Sequence, residues 1–272
     1  KLTAGVNPYS LLKGQGGRLL ELTLAGNARG KDRRTVLINP IASENDLLYL
    51  RWVEENRARV TRETDGRVGY LHIPDMGPAG IYEFTKWFYG QVRKQGMIID
   101  VRGNGGGNVS QMVINRLARE LVFLDYDRGV DNVGTYPNVV FTGPLVALLD
   151  EDSASDGDIF PAAFKALELG PLIGKRSWGG IIGITNLGPL MDGGTVYVPQ
   201  FATASAEGQW AIEGVGVEPD IEVDTPPEAV LRGEDPQLER AIGEAVQRLR
   251  TQPGTLPPQP ADPVKTPGTG SR

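Results

Sequence analysis

Residues 97–110 read MIIDVRGNGGGNVS, and residues 147–164 read ALLDEDSASDGDIFPAAF. Each starts as a short apolar run, breaks at a turn rich in Gly, Asn, Asp or Ser, and resumes at helical spacing. Short apolar runs of this kind read as strands buried on both faces, and such strands belong to parallel sheets covered by helices. Working outward, Val68–Ile73 is a strand, and Ile81–Gln95 is an amphipathic helix with Ile81, Phe84, Phe88 and Val92 on one stripe. Gly96–Val101 is a strand, Val109–Phe123 a helix, Leu145–Leu149 a strand and Ile159–Leu169 a helix. This βαβαβα order predicts an α/β fold with a largely parallel sheet. Gly183–Gly188 and Thr195–Pro199 form a β-hairpin region, and a last helix lies near Gln237–Arg250.

Residues 1–41 read as a small β-rich module. Its two strand-like runs, Leu19–Leu24 and Thr35–Ile38, are joined by the polar loop Gly26–Arg34, and Tyr9–Lys13 supplies one or two helical turns. A linking helix follows within residues 42–66, where Ser43 and Asp46 make a capping pattern ahead of Leu47, Leu50 and Val53. Residues 67–250 form the α/β body, and the Pro-rich tail 251–272 is expected to be disordered or extended.

Composition narrows the function. The 272 residues carry 28 Lys plus Arg against 34 Asp plus Glu, for a net charge of −6. That balance argues against nucleic acid as a partner, because phosphate binding needs a basic surface. The absence of Cys removes disulfides, thiolate metal sites and cysteine nucleophiles. A single His removes the multi-histidine metal site of zinc hydrolases. Nothing in the sequence calls for a metal or a cofactor. No apolar run reaches the roughly 18 residues of a membrane-spanning helix. The first residues, KLTAGVNPYSLL, have neither an initiator Met nor the apolar core of a signal peptide, so the chain is expected to be an interior fragment.

The two turns carry the chemistry. A glycine-rich turn between strand and helix exposes backbone N–H groups, which suit a phosphate, a developing oxyanion, or simply a tight connection. The phosphate reading lacks the Gly-Lys-Ser/Thr of a phosphate loop. Ser155 fits a helix cap, with Asp158 three residues on. It also fits a nucleophile, since it lies where a strand ends and a helix dipole begins. Ligands collect outside the carboxyl ends of parallel strands, so a Ser turn and an amide-donating glycine turn on adjacent strands make a nucleophile and an oxyanion hole.

With GKRSWGGIIG (174–183) and WAIEGVGVEPDIEV (210–223), these motifs resemble the tricorn core branch of the carboxyl-terminal processing serine protease family over roughly residues 1–250. The resemblance implies a crotonase-like ββα catalytic domain preceded by a PDZ domain, of which residues 1–41 would be the C-terminal part. It implies Ser155 as nucleophile, and the amides of Asp156 and of a glycine in the Gly105–Gly107 turn, Gly106 or Gly107, as oxyanion hole. Glu213 would support the catalytic network, and Asp125 or Asp127 would select basic side chains. It further implies peptide or unfolded-protein substrates, a homo-oligomer working with downstream aminopeptidases, and a cytoplasmic location. The Lys of the other branch is absent, since Gly179 and Gly180 stand at its place and Lys175 falls earlier. The tricorn His belongs to a Ser-His motif ahead of the PDZ domain, so the base is expected in a segment upstream of Lys1. His72, inside the strand VGYLHIP, is expected to be structural. Two other classes remain open: a peptide-binding scaffold without turnover, and a crotonase-type acyl-CoA enzyme using the glycine turn without a nucleophile.

Overall fold

The computed structural model describes residues 5–127, 129 and 133–261. The chain divides into two compact units, residues 1–54 and 55–272, with the boundary falling inside a helix.

In the first unit, α1 (Pro8–Leu12) begins at Asn7, whose side chain accepts from the Tyr9 amide. Strands β1 (Leu20–Leu24) and β2 (Arg34–Ile38) pair antiparallel, Leu22 opposite Val36. The helix α2 (Asn45–Glu63) starts here and runs through the boundary, with the Ser43 hydroxyl accepting from the Asn45 amide. Tyr9, Leu11, Leu19, Leu37 and Leu47 are all exposed, and neither α1 nor its strands bury a residue fully.

The second unit is built on five parallel strands in the order β11-β8-β7-β4-β3. These are β3 (Val68–His72), β4 (Gly96–Asp100), β7 (Leu145–Leu149), β8 (Leu172–Gly174) and β11 (Ile221–Glu222). Every residue of β3, β4, β7 and β8 is buried, which explains why the first three read as unbroken apolar runs. Alternate residues face opposite sides. Leu71, Ile73, Met97, Ile99, Ala147 and Leu149 join one core with Phe84 and Phe88 of α3 (Pro78–Gln91), Val113 of α4 (Ser110–Leu117), and Phe160 and Phe164 of α5 (Asp156–Ala166). The other face is covered by α7 (Pro236–Arg248), which packs on β4, β7 and β8 through Leu238, Ala241, Ile242 and Ala245.

Some elements differ from expectation. The helix predicted over Val109–Phe123 ends at Leu117, and a small antiparallel hairpin, β5 (Phe123–Tyr126) with β6 (Val133–Tyr136), takes up its last residue. The predicted hairpin is present as β9 (Gly183–Pro189) and β10 (Thr195–Phe201), and a short α6 (Pro227–Leu231) precedes α7. Residues 251–261 form no helix or strand and run along the body, where a Cβ at Gly254 would stand 2.2 Å from the Gln95 carbonyl oxygen and the Tyr126 hydroxyl donates to Pro257 O at 3.3 Å. The rest of the expected Pro-rich tail, 262–272, lies outside the described residues. Among the described residues no helix is long and apolar enough to cross a membrane.

One polar network crosses from β4 to α7. The Arg102 guanidinium donates to Asp100 Oδ1 at 3.0 Å and Oδ2 at 2.7 Å, and to both Asp235 oxygens at 2.9 and 3.0 Å. Asp100 also accepts from the Tyr70 hydroxyl at 2.8 Å, and Asp235 caps α7 by accepting from the Leu238 amide. Burial alone would raise the Asp100 pKa, but the Arg102 charge and hydrogen bonds outweigh it and hold the carboxyl below its usual value. Removing the cation leaves a fully buried carboxylate unpaired, so Arg102→Met should lower unfolding stability by about 3–5 kcal/mol. Urea denaturation checks this, and an unchanged midpoint would show the network to be energetically idle.

Candidate active site

β4 and β7 are neighbours and run the same way, so the chain leaves both at one edge of the sheet. After β4 comes the glycine turn, and after β7 the turn carrying Ser155. The Ala154 amide donates to Asn104 O at 2.8 Å and welds the two together. The fit is tight. A Cβ at Gly157 would sit 2.2 Å from the Asn104 carbonyl, and one at Gly106 would sit 2.5 Å from Ser155 Cβ and 2.9 Å from the Asp156 nitrogen.

Ser155 is half-buried and adopts φ 57°, ψ −121°, a left-handed backbone rare for a side-chain-bearing residue. Such strain costs of order 1–3 kcal/mol and clusters at functional sites. A capping serine has an extended backbone and accepts from an amide of the first turn. Ser155 does neither, although its backbone carbonyl accepts from Asp158 and Ile159. Its backbone makes a sharp strand-to-helix elbow.

The oxyanion candidates separate. Gly106 is not available, because its N–H already donates to Asn104 Oδ1 at 2.9 Å. Its carbonyl accepts from Met76 N at 2.8 Å, while Met76 O accepts from the Asn108 and Val109 amides at 2.7 and 3.1 Å. In a trans peptide the C=O and the following N–H point opposite ways, so the Gly107 N–H is turned away from Met76. Gly107 itself is exposed. The Asp156 amide is the first of α5, where helical amides have no intrahelical acceptor. The Asp156 carboxylate looks the other way, accepting from the Ser110 amide at 2.9 Å and from the Ser110 hydroxyl, and so fixes the start of α4.

Glu213 does not reach Ser155 by any hydrogen bond in the structure. Its Oε2 accepts from the successive amides of Ile181 and Ile182 at 2.7 and 3.0 Å. The Glu213 amide bonds Ala211 O at 2.8 Å, closing a three-residue turn centred on Ile212 at φ 72°, a strained place for a β-branched residue. The loop held by Glu213 is tied in turn to the serine turn: Trp178 N donates to Ser153 O at 2.9 Å, and Gly179 N to Asp158 Oδ1 at 2.8 Å. Sequence reading missed this role of Asp158, and a buried acid in the first turn of α5 was its only local signal. Asp125 and Asp127 are exposed at β5 and just beyond it, and no hydrogen bond or ion pair connects them to the serine turn.

His72 behaves as a structural residue. It is buried at the end of β3, and its Nε2 lies 2.9 Å from Arg102 O, so that nitrogen carries the proton.

With this geometry in place, comparison with known proteins identifies the lineage. The model of Peptidase family S41 matches residues 67–223, more than half of the chain. The chain belongs to peptidase family S41. Within the family, it is 41% identical over 251 residues to tricorn protease homolog 1 of Streptomyces coelicolor, covering 92% of this chain and 23% of that protein. It is 39% identical over 258 residues to the tricorn protease of Thermoplasma acidophilum, covering 95% of this chain and 24% of that one. The crystal structure of the tricorn protease superposes with a TM-score of 0.84 at 39% identity, over 91% of this chain and 24% of that chain. The chain thus spans about a quarter of the length of these relatives.

Burial holds the His72 pKa below its ordinary 6.5, reinforced by the Arg102 charge and opposed by Asp100. The fold therefore prefers the neutral ring, and this contribution is complete above the unfolded pKa and is lost as pH falls below it. His72→Gln keeps an N–H for the Arg102 carbonyl but cannot titrate. Its melting temperature should fall less than the wild type's between about pH 7 and about pH 5. Identical slopes would mean that another group governs acid stability in this range.

Proposed function

We propose that this chain is the nucleophile-bearing core of a serine peptidase that cleaves peptides through an acyl-enzyme. The observation that carries the reading is the strained backbone of Ser155, whose hydroxyl makes no helix cap while its elbow packs on the glycine turn. Ser155 Oγ attacks the scissile carbonyl and gives its proton to a base. The oxyanion is received by the Gly107 and Asp156 amides, and the amine leaves with a proton returned by the base. Water then repeats the attack on the ester and frees Ser155.

The base comes from outside these residues: His72 is buried at the end of β3 with its Nε2–H on Arg102 O, and among the described residues no Lys is hydrogen-bonded to the serine turn. Glu213 serves the reaction by fixing the 179–182 loop beside that turn. The reading carries with it a crotonase-like body, a partial PDZ module at residues 1–41, peptide or unfolded-protein substrates, and a choice of basic side chains through Asp125 or Asp127. A scaffold without turnover, or an acyl-CoA enzyme without a nucleophile, would gain nothing from a strained Ser155, and an unstrained residue would be favoured there.

In the polypeptide extended to the length of the tricorn relatives, Ser155→Ala should abolish peptide hydrolysis and leave the melting temperature within a few degrees. The 272-residue chain alone should hydrolyse the same peptides several orders of magnitude more slowly, since a serine without a base is a poor nucleophile. Wild-type turnover in the Ser155→Ala variant would sink the proposal. Retention of an acyl-CoA, with no effect of that substitution, would support the crotonase-type alternative.

A further inference from the structure

Asn104 is fully buried between the two turns, and all four of its polar groups are engaged. Its side-chain Nδ2 donates to Ile73 O, just past β3, at 2.9 Å, and its Oδ1 accepts from the Gly106 amide at 2.9 Å. Its backbone nitrogen donates to Val101 O at 3.2 Å, and its backbone oxygen accepts from the Ala154 amide at 2.8 Å. Only one orientation of the carboxamide satisfies both of its ends, so the side chain is locked. A single residue thus joins β3, the glycine turn and the residue preceding Ser155.

We infer that Asn104 is a positioning residue that aims the Gly107 amide at the oxyanion by holding the Gly106 amide. The inference rests on the acyl-enzyme reading and adds the group that orients its donor. Gly106 is pinned at both ends, its N–H by Asn104 and its carbonyl by Met76 N. With φ 98° at Gly106 and 150° at Gly107, this stretch is one that glycine samples freely, so covalent geometry alone does not fix it. Release of the Gly106 N–H frees the 105–106 peptide plane, and rotation about the Gly106 φ and ψ then carries the 106–107 plane with it, so the Gly107 N–H loses its direction. Met76 touches the 106–107 plane only through Gly106 O, its own carbonyl bonding past Gly107 to the Asn108 and Val109 amides, and one hydrogen bond on a plane leaves rotation about its own axis. The ground state binds through other contacts, so the loss falls on the transition state.

Two variants separate positioning from general support. Asn104→Ala should lower kcat about 10²–10³-fold, the usual effect of losing one oxyanion donor, with KM changed by less than about threefold. In the same variant the Gly106 amide of the 272-residue chain, followed by NMR hydrogen exchange, should lose its protection while the sheet amides keep theirs.

Asn104→Asp has a sharper signature. A neutral carboxylic acid has one O–H donor for Ile73 O and one acceptor for Gly106 N–H, as the carboxamide does, whereas the carboxylate faces the Ile73 carbonyl with charge. The ratio of variant to wild-type kcat should therefore rise as pH falls, and a purely structural role would leave that ratio flat. An unchanged kcat in Asn104→Ala, a flat ratio in Asn104→Asp, or unaltered Gly106 exchange would each overturn the inference. If Asn104→Ala fails to fold, the pH-dependent ratio of the isosteric Asp variant decides. Loss of activity in Ser155→Ala together with wild-type kcat in Asn104→Ala would discard the positioning role and leave the acyl-enzyme reading standing.

Discussion

Two parallel strands side by side deliver their chain ends about 5 Å apart, and whatever follows them must share that space. In this protein the sharing is done by backbone. Ala154 N–H meets Asn104 O, Gly157 lies against the same carbonyl, and Gly106 lies against Ser155. No room is left for a Cβ at 106 or 157, which is why glycines stand there. The elbow at Ser155, the direction of the Gly107 amide and the start of α5 follow from that one apposition.

Charge is handled in the same manner around it. Four carboxylates, Asp150, Asp156, Asp158 and Glu213, accept from main-chain amides of neighbouring segments. Each satisfies donors that a loop would otherwise leave without partners. Asp150, Asp156 and Asp158 tie remote segments to the glycine or serine turn directly, while Glu213 holds the loop that Trp178 and Gly179 join to the serine turn. The Arg102 guanidinium pairs with Asp100 and Asp235 and anchors α7 beneath the edge where the turns emerge. The edge is therefore held by electrostatics fixed before any substrate arrives, the condition under which oriented amides stabilise developing charge most.

Much of the fold was legible because burial on both faces writes itself as unbroken apolar runs. Val68–His72, Gly96–Asp100 and Leu145–Leu149 are such runs. β8 and β11 are three and two residues long and offer no period to read. The β5–β6 hairpin was hidden because Leu121, Val122 and Phe123 continue the apolar texture of α4, while their partners lie beyond residue 132. At the site, the positions of Ser155 and the glycines were readable from strand–turn–helix order. Whether Ser155 caps or attacks was not, since residue type does not report φ. Gly106 looked equivalent to Gly107 until the Asn104 carboxamide was seen to occupy its amide. Glu213 drew notice only through resemblance, as the loop it holds lies about thirty residues earlier and nothing local marks the pairing.

The backbone at Ser155 has an evolutionary side. A side-chain-bearing residue at φ 57°, ψ −121° carries a penalty that glycine escapes. A lineage selected for heat tolerance alone would drift toward glycine at this position and gain stability with each generation that no longer needed the hydroxyl. Serine persists there only while something rewards its oxygen. The codon for residue 155 is thus a standing record of whether selection still acts on the chemistry, independent of how well the rest of the chain folds.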